Sequence, residues 1–315
     1  MASTSNLPGS AGGHIDEATG VETVGHEWDG IVELNNPLPR WWVLVFAVTV
    51  IWAVGYAIAY PAIPLVAKGT EGLLGWTSRG QLAESLAAQQ EQRAATVATL
   101  ADMPIEQLQA HPELMDAAVA GGAAAFKVNC VQCHGSGAAG IQGLYPNLGD
   151  DDWLWGGDLK TIETTLLHGI RQPDDPATRV SQMPAFGRDG ILGARQIDTL
   201  AVQVLSFSGK GRASAQGAAL FEANCAVCHG PEGKGLRGFG APNLADAIWL
   251  YGGGREQVAR TIANPRNGVM PAWGERLDPV TIKMLAAYVH SLGGGEDFAA
   301  EVAEVPAEAA DEQPQ

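Results

Sequence analysis

Cysteine is scarce in this chain, and its distribution argues against a disulfide scaffold. Only four cysteines occur among 315 residues. They form two close pairs, whereas structural disulfides join cysteines across a fold. Lysine and arginine are also few, at 19 against 35 acidic residues, and no basic patch of the kind that binds nucleic acid is present. The sequence therefore favours neither a disulfide-stabilised module nor a nucleic-acid-binding protein.

Positive charge is absent from both ends of the chain. Residues 1–39 contain six acidic residues and residues 296–315 contain seven, and neither range has a lysine or an arginine. Removing these 13 acids from the 35 leaves 22 acids against 19 bases, a net charge of −3 for the part between. The overall charge of −16 thus belongs mainly to the ends. We predict disordered acidic tails at residues 1–37 and 296–315.

A single long apolar run extends from Trp41 to Tyr60 without a charged residue. At about 1.5 Å per residue, a helix of this length crosses a hydrocarbon core of about 30 Å. Aromatic residues lie at both ends, as at membrane interfaces, and Pro61 ends the helix. A cleavable signal peptide would not follow so long a polar segment, and a core helix would have a polar face. We predict a transmembrane anchor over residues 38–66 and a helical linker over residues 67–116.

The four cysteines form two copies of one motif. The sequence Cys130-Val131-Gln132-Cys133-His134 recurs as Cys225-Ala226-Val227-Cys228-His229. C-x-x-C-H is the attachment signal for haem c, in which both thiols form thioethers to the porphyrin and the histidine binds the iron. A structural zinc site would not require a histidine after each pair, and a thioredoxin-like motif needs a βαβ context. The sequence therefore predicts two covalently bound haem c groups.

A repeat surrounds these motifs. Tyr145-Pro146-Asn147-Leu148 follows the first motif and Ala241-Pro242-Asn243-Leu244 follows the second. Each repeat continues to a Met-Pro pair and closes with an apolar helical segment, and the boundary lies near residues 208–211.

The Met-Pro pairs provide candidates for the second axial ligand of each iron. Met183 and Met270 each precede a proline, which favours an extended backbone, and thioether sulfur is a soft ligand that favours ferrous iron. His168, which precedes a longer loop in the first repeat, is the alternative to Met183. Iron with both axial positions filled carries out electron transfer, and we predict no catalytic residue.

The repeats resemble two tandem class I cytochrome c domains, at residues 117–209 and 210–295, which implies an all-α fold after one transmembrane helix. The resemblance implies that Phe126 faces Leu205 or Phe207 and that Phe221 faces Tyr288. It also implies that each haem-binding histidine is oriented by the carbonyl oxygen of a proline; the matching residues are Pro146 and Pro242.

The anchor region carries a closer resemblance. Asn35-Asn36-Pro37-Leu38-Pro39-Arg40-Trp41-Trp42, Tyr60-Pro61 and Gly75-Trp76-Thr77-Ser78 precede the two motifs in the order found in the dihaem subunit (CcoP/FixP) of cbb3-type cytochrome c oxidases. This resemblance implies a subunit that takes electrons from a donor cytochrome c and passes them through a monohaem subunit toward a haem–copper subunit. That catalytic subunit reduces oxygen and pumps protons. The chain is then an electron-transfer subunit of an oxidoreductase and not an enzyme on its own.

The place of haem attachment predicts the orientation. Bacteria attach haem c outside the cytoplasmic membrane, so we expect a single-pass inner-membrane protein with residues 1–37 in the cytoplasm and both haem domains in the periplasm. Two other functions remain open at this point. One is a stand-alone tethered dihaem electron shuttle, and the other is a dihaem peroxidase, which requires an iron with an open axial position.

Overall fold

The structure is a computed structural model that describes residues 13–66 and 68–298. Its backbone contacts divide the chain into two compact units, one ending at Glu91 and the other beginning at Gln92. The first unit contains a β-hairpin and a long apolar helix. The second contains both C-x-x-C-H motifs.

The hairpin lies within the segment expected to be a disordered tail, so that part of the prediction is wrong. Strands β1 (Thr23–Trp28) and β2 (Ile31–Leu34) pair antiparallel. Asp29 and Gly30 between them have φ angles of 50° and 86°, the left-handed values that a tight type I′ turn requires and that Asp-Gly favours. Residues 1–12 of the expected tail lie outside the described part of the chain.

The apolar run forms helix α1 (Arg40–Ala59), as predicted. The helix is long and apolar enough to cross a membrane, and none of its residues is buried against the rest of the protein. It ends where Tyr60 takes an extended conformation, because a residue before proline is sterically disfavoured in the helical region.

The second unit is helical and begins within α2 (Ser78–Asp102). Its remaining helices are α3 (Pro112–Asn129), α4 (Val131–His134), α5 (Leu159–His168), α6 (Ala194–Phe207), α7 (Ala215–Asn224), α8 (Ala226–His229), α9 (Arg255–Ala263) and α10 (Pro279–His290). Short 3-10 turns lie at Ile105–Ala110, Ser136–Ala138 and Arg237–Phe239.

The first of two hydrophobic cores, core 1, contains Cys130 and is formed by α3, α5 and α10. Leu100, Ile105 and Leu108 from the predicted linker are also buried in it, so the end of the linker belongs to the haem-motif unit. Lys283 on α10 is buried and donates from its Nζ to carbonyl oxygens at the end of α2. These bonds satisfy carbonyl groups that have no partner within the helix.

The second core, core 2, contains Cys225 and is formed by α6, α7 and α9. Its buried members are Phe186, Leu192, Ile197, Leu200, Ala201, Val204, Leu205, Phe221, Cys225, Val258 and Ile262. Both repeats therefore contribute to this core, since α6 closes the first repeat and α7 opens the second.

The closing helices are exchanged between the repeats, and the expected aromatic contacts are wrong. Phe126 on α3 packs against Tyr288 on α10, with ring centroids 5.2 Å apart. Phe221 on α7 packs against Phe207 on α6, with centroids 4.8 Å apart. The haem motif of each repeat is thus covered by the last helix of the other repeat.

The connecting segments account for this exchange. Only residues 208–214 join α6 to α7, and so short a connection favours packing of neighbouring helices against each other. The longer segments 169–193 and 264–278 run between the cores. The repeat pattern alone does not distinguish the two arrangements, because both repeats provide the same glycine and aromatic contacts.

The first residue of the predicted C-terminal tail, Glu296, is bonded to the folded part of the chain. Glu296 accepts a hydrogen bond from the Gly157 amide at 2.7 Å and forms an ion pair with Arg237. The His290 ring contacts the Glu296 carbonyl oxygen at 2.9 Å. Residues 299–315 lie outside the described residues, so the rest of this prediction is not tested.

Candidate haem sites

Each C-x-x-C-H motif forms one helical turn directly after a longer helix. The first motif follows α3, and the His134 amide donates to the Cys130 carbonyl oxygen at 2.9 Å. The second follows α7, with the same bond from His229 to Cys225 at 2.9 Å. The turn therefore brings two thiols and an imidazole together in each repeat.

The thiols are available for covalent attachment. All four cysteines are free. Cys130 and Cys225 are buried, and burial, followed by the nearby second thiol of the motif, raises the pKa of each to about 11. Without haem these two thiols are therefore protonated near neutral pH.

A backbone carbonyl orients each histidine. His134 Nδ1 lies 3.2 Å from the Pro146 carbonyl oxygen, and His229 Nδ1 lies 3.1 Å from that of Pro242. A carbonyl oxygen only accepts hydrogen bonds, so Nδ1 must carry the proton and Nε2 keeps its lone pair for a metal. Burial lowers the pKa of both imidazoles, against the opposing effect of the proline carbonyl. Both therefore favour the neutral, ligand-competent form.

Two glycines that sequence reasoning missed leave room for the segments that carry these proline carbonyl groups. A Cβ on Gly140 would lie 2.5 Å from the Pro146 carbonyl carbon, and one on Gly235 would lie 2.5 Å from the Ala241 oxygen. Both glycines have positive φ angles, 71° and 79°, which side chains disfavour. They occupy equivalent repeat positions after the histidines, and this equivalence was the available sequence signal.

The surroundings of the motifs fit a porphyrin. Leu144 and Phe239, in the loops after the two motifs, are 63% and 51% exposed, leaving apolar surface that a large apolar group would cover. The Trp249 Nε1–H is buried without a hydrogen-bond acceptor among the described residues. A buried donor without an acceptor suits an anionic group such as a haem propionate. Sequence reasoning missed Trp249 as well; its repeat position matches Trp153.

The zinc alternative receives no support from the described residues. A structural site built from both pairs would bring four thiols around one ion. Within residues 13–66 and 68–298, no group of three or more histidine, cysteine, aspartate or glutamate side chains is arranged to hold a metal ion.

The two candidate methionines lie in different cores. Met270 packs against core 1, which contains Cys130, and Met183 packs against core 2, which contains Cys225. We expected each methionine to serve the motif of its own repeat, and the packing is the reverse. His168 lies at the end of α5, where its Nδ1 contacts Asp175 Oδ2 at 3.0 Å.

Hydrogen bonds to backbone carbonyl groups connect the two sites directly. Gln142, in the loop after the first motif, donates from Nε2 to the Trp249 carbonyl oxygen at 2.7 Å. The neighbouring Gly143 amide donates to the Leu250 carbonyl oxygen at 2.8 Å. On the other side, the Ser181 hydroxyl donates to the Phe239 carbonyl oxygen. The loops of the two sites thus form a shared interface.

Two family models match the chain. The N-terminal domain of cytochrome oxidase-cbb3, FixP, matches residues 20–67, and cytochrome c oxidase, cbb3-type, subunit III matches residues 117–202 and 212–289. The second match covers both motifs and most of the helices that form the two cores.

Curated relatives match most of the chain. The cbb3-type cytochrome c oxidase subunit FixP of Rhizobium meliloti (strain 1021) is 52% identical over 286 residues, covering 90% of this chain and 98% of the relative. FixP of Azorhizobium caulinodans is also 52% identical, covering 90% and 96%. The subunit CcoP of Cereibacter sphaeroides is 51% identical over 277 residues, covering 87% and 95%.

Proposed function

This chain belongs to the FixP/CcoP family of cbb3-type cytochrome c oxidase subunits, and we propose that it is the dihaem subunit through which electrons enter such an oxidase. In this role it accepts electrons from a donor cytochrome c and passes them, through a monohaem subunit, toward the haem–copper catalytic subunit. The chain itself carries no oxygen chemistry.

The observation that carries the proposal is the geometry of the two motif turns. Each turn places two free thiols beside an imidazole whose Nδ1 is bonded to a proline carbonyl group and whose Nε2 is left to bind iron. Haem c attached there would supply one-electron exchange between ferric and ferrous iron. Cys130, Cys133, Cys225 and Cys228 would hold the porphyrins, His134 and His229 would bind the irons, and Met183 and Met270 would supply the sulfur ligands.

The chain's own residues keep these sites fit for rapid electron exchange. The proline carbonyl groups fix each imidazole in one tautomer and orientation, which limits rearrangement of the ligand when the iron changes charge. Thioether sulfur from a methionine would raise the reduction potential of such an iron and would keep oxygen and peroxide from binding to it. This arrangement favours electron transfer over a peroxidase reaction.

The helix α1 supports a membrane location. It is long and apolar enough to span a bilayer, and its side chains are unburied. We propose that it anchors the chain in the bacterial inner membrane as a single span, with the second unit in the periplasm, where haem c is attached and a donor cytochrome has access.

The test is to purify the oxidase from membranes and count covalent haem c on this chain. We expect two haems per chain in the wild-type protein, one in the double variant Cys130→Ala/Cys133→Ala, and one in Cys225→Ala/Cys228→Ala. Both variants should slow oxygen consumption driven by reduced cytochrome c, while oxygen reduction by an artificial donor that reaches the catalytic subunit directly should persist.

Other results would contradict the proposal. A chain that purifies without a copper- and haem-b-containing partner would support a stand-alone electron shuttle. Peroxide turnover by the isolated chain, with one high-spin haem, would support a peroxidase. Retention of two haems in either double variant would show that the motif cysteines are not the attachment sites.

A further inference from the structure

The chain that leaves α1 folds back onto the end of that helix. We propose that this return segment, residues 69–76, lies in the periplasmic interface of the bilayer, with the side chains of Leu73 and Leu74 among the lipid acyl chains. This contact goes beyond the proposed function and rests on one part of it, the membrane anchoring by α1. It gives the subunit a second point of contact with lipid, outside the spanning helix.

Main-chain hydrogen bonds hold the return segment against the end of α1. The Leu73 amide donates to the Ile58 carbonyl oxygen at 2.9 Å, and the Leu74 amide donates to that of Ala59 at 3.1 Å. Both acceptors belong to the last four carbonyl groups of the helix, which have no partner within it. The return segment therefore satisfies polar groups that the helix leaves over.

The chain directly after α1 is also bonded internally. The amides of Ala62 and Ile63 donate to Thr70 Oγ1 at 3.1 and 3.2 Å, and the Thr70 amide donates to the Ile63 carbonyl oxygen at 3.0 Å. Pro61 and Pro64 have no amide hydrogen to satisfy. A helix end in water can be capped by solvent, whereas backbone groups next to hydrocarbon must find partners in the protein. The internal bonding therefore favours a position at membrane depth.

A glycine allows the return segment to approach the helix. Gly72 has a φ of 66°, a left-handed value that glycine adopts without steric cost. A Cβ at this position would lie 2.5 Å from the Ala59 carbonyl oxygen. Gly75 has a similar φ of 61°, but a Cβ there would have no neighbour within 4 Å among the described residues. The two glycines thus separate backbone strain from contact with α1.

Two leucines form the centre of an exposed turn. The Gly75 amide donates to the Gly72 carbonyl oxygen at 3.3 Å, and Leu73 and Leu74 are the two residues between them. Their side chains are 84% and 63% exposed. Turns that face water favour glycine, proline, asparagine, aspartate and serine. A turn with two leucines at its centre is better suited to an apolar environment.

Aromatic and charged residues near the turn fit the layers of a bilayer interface. The Tyr60 ring at the end of α1 meets the Trp76 ring edge-on, with centroids 5.7 Å apart, and both residue types are enriched at membrane interfaces. Lys68 and Glu71 form an exposed ion pair at 2.7 Å, as expected for groups that remain among hydrated headgroups. Lysine and glutamate are depleted in protein–protein interfaces, so this combination favours lipid over the surface of another subunit.

The test measures the depth of the turn in the bilayer, with the full-length subunit in its assembled oxidase and the oxidase in lipid nanodiscs. Haem attachment consumes the motif thiols, so Leu73→Cys or Leu74→Cys provides one thiol on this chain for a small fluorophore. The wild-type complex treated with the same reagent gives the background from other subunits. Lipids with a nitroxide on the acyl chain quench fluorophores among the acyl chains, and iodide quenches fluorophores in water.

Labels at both leucine positions should be quenched by the acyl-chain nitroxide and protected from iodide, at a depth of about 5–10 Å into the headgroup and acyl boundary. The matched controls are Lys68→Cys and Glu71→Cys. Their labels should be quenched by iodide and little affected by the nitroxide lipid.

A second pair of variants tests whether the bonds to α1 hold the turn in place. Gly72→Ala, combined with Leu74→Cys, should move the label outward into the reach of iodide, because amides that lose their acceptors are excluded from hydrocarbon. Gly75→Ala in the same background carries similar backbone strain without the collision and should leave the label at its original depth.

Several results would overturn the proposal. Iodide quenching at both leucine positions would place the turn in water, and protection from both quenchers would show that a neighbouring subunit covers it. Equal depths in the Gly72→Ala and Gly75→Ala backgrounds would show that the bonds to α1 do not hold the turn in the bilayer. A label at Ile51→Cys, in the middle of α1, separates these outcomes from a failure of the anchor. Iodide quenching at that position would contradict the proposed membrane anchoring itself.

Discussion

At the scale of single residues, the haem sites depend on groups that bind no iron. A carbonyl oxygen orients each histidine ring through a hydrogen bond. The loop that carries this oxygen can close because a glycine leaves room for it. Gly140 and the Pro146 carbonyl group form such a pair in the first repeat. The C-x-x-C-H motif identifies the iron-binding histidine, but residues outside the motif set the orientation of its ring.

Gly140→Ala should disturb the first site selectively. The new Cβ would collide with the Pro146 carbonyl carbon at 2.5 Å and weaken its bond to His134, so the imidazole becomes a less basic ligand and the haem potential rises. We expect a destabilisation of about 2–3 kcal/mol from left-handed strain and overpacking together.

The matched control is Gly137→Ala, whose φ of 77° is equally strained but whose Cβ has no atom within 4 Å. It should cost about 1–2 kcal/mol from strain alone and leave the potential unchanged. Thermal unfolding and redox titration of both variants check the prediction. Equal potentials in the two variants would show that the Pro146 carbonyl group does not tune the site.

A second residue-level prediction concerns Asp152. Burial, followed by the nearby carboxylate of Asp246, raises its pKa from 3.8 to about 6. The folded protein therefore binds an extra proton between about pH 4 and 6, and the contribution of Asp152 to stability falls as the pH rises through that window.

Asp152→Asn should therefore raise the free energy of unfolding above pH 6. After allowance for solvent screening the gain is on the order of 1 kcal/mol, or about 2–4 °C in Tm, and it should disappear below about pH 4. Thermal unfolding from pH 4 to 8 measures this dependence, with the exposed Asp174→Asn as control. A gain that is the same at pH 4 and pH 8 would show that ionisation of Asp152 is not the cause.

At the scale of elements, the sequence predicted those whose cause is local. The run from Trp41 to Tyr60 specifies α1 through length and uniform apolarity, and the helix appears where expected. The hairpin was missed because the acidic composition of residues 1–37 indicated disorder, and only a two-residue turn sequence indicated strands. Asp29-Gly30 is a favoured turn sequence, and the strands beside it alternate too weakly to indicate a buried face.

The crossing of α3 and α10 gives the clearest element-level prediction. A Cβ on Gly122 would lie 2.0 Å from the Met284 carbonyl oxygen, a backbone atom that moves only with its helix. Gly122→Ala should therefore separate the helices, cost about 3 kcal/mol or more, and impair haem retention at Cys130 and Cys133.

The equivalent change in the second repeat should be milder. A Cβ on Gly217 would meet Gln203 Oε1 at 3.0 Å, at the end of a side chain that can rotate away. Haem content and unfolding midpoints of Gly122→Ala and Gly217→Ala, measured in parallel, decide the point. A larger loss of haem or of stability in Gly217→Ala than in Gly122→Ala would contradict this interpretation of the two helix crossings.

At the scale of the whole molecule, the exchange of helices marks the limit of sequence reasoning. The repeat indicated that each motif needs a glycine, an aromatic residue and a closing helix, and all of these contacts are present. It did not indicate which copy supplies them, because Tyr288 and Phe207 are both suitable partners for a phenylalanine. That choice depends on connection lengths and on hydrogen bonds between the repeats. The Arg171 guanidinium group, for example, donates to the carbonyl oxygens of both Gly268 and Ser181.

The exchange of closing helices predicts that neither repeat forms a stable haem site when the other repeat is removed from the chain. A chain ending at residue 209 keeps the first motif and Met183 but loses α10, which provides Ile282, Leu285 and Val289 to core 1. Losing three buried side chains of this size, at about 2–5 kcal/mol each, costs about as much as the whole 5–15 kcal/mol that stabilises a typical protein. We expect this truncated chain to contain no stable low-spin haem.

A chain that begins at residue 67 behind a cleavable secretion signal is the matched comparison. The buried members of both cores lie between Leu100 and Val289, so this chain keeps every contact that forms them and should be a soluble protein with two haems. Haem staining and visible spectra of the two secreted chains test the pair. A low-spin, methionine-ligated haem in the chain ending at residue 209 would show that the first repeat folds alone. Loss of both haems from the chain beginning at residue 67 would show that the cores need the anchor unit or a neighbouring subunit to form.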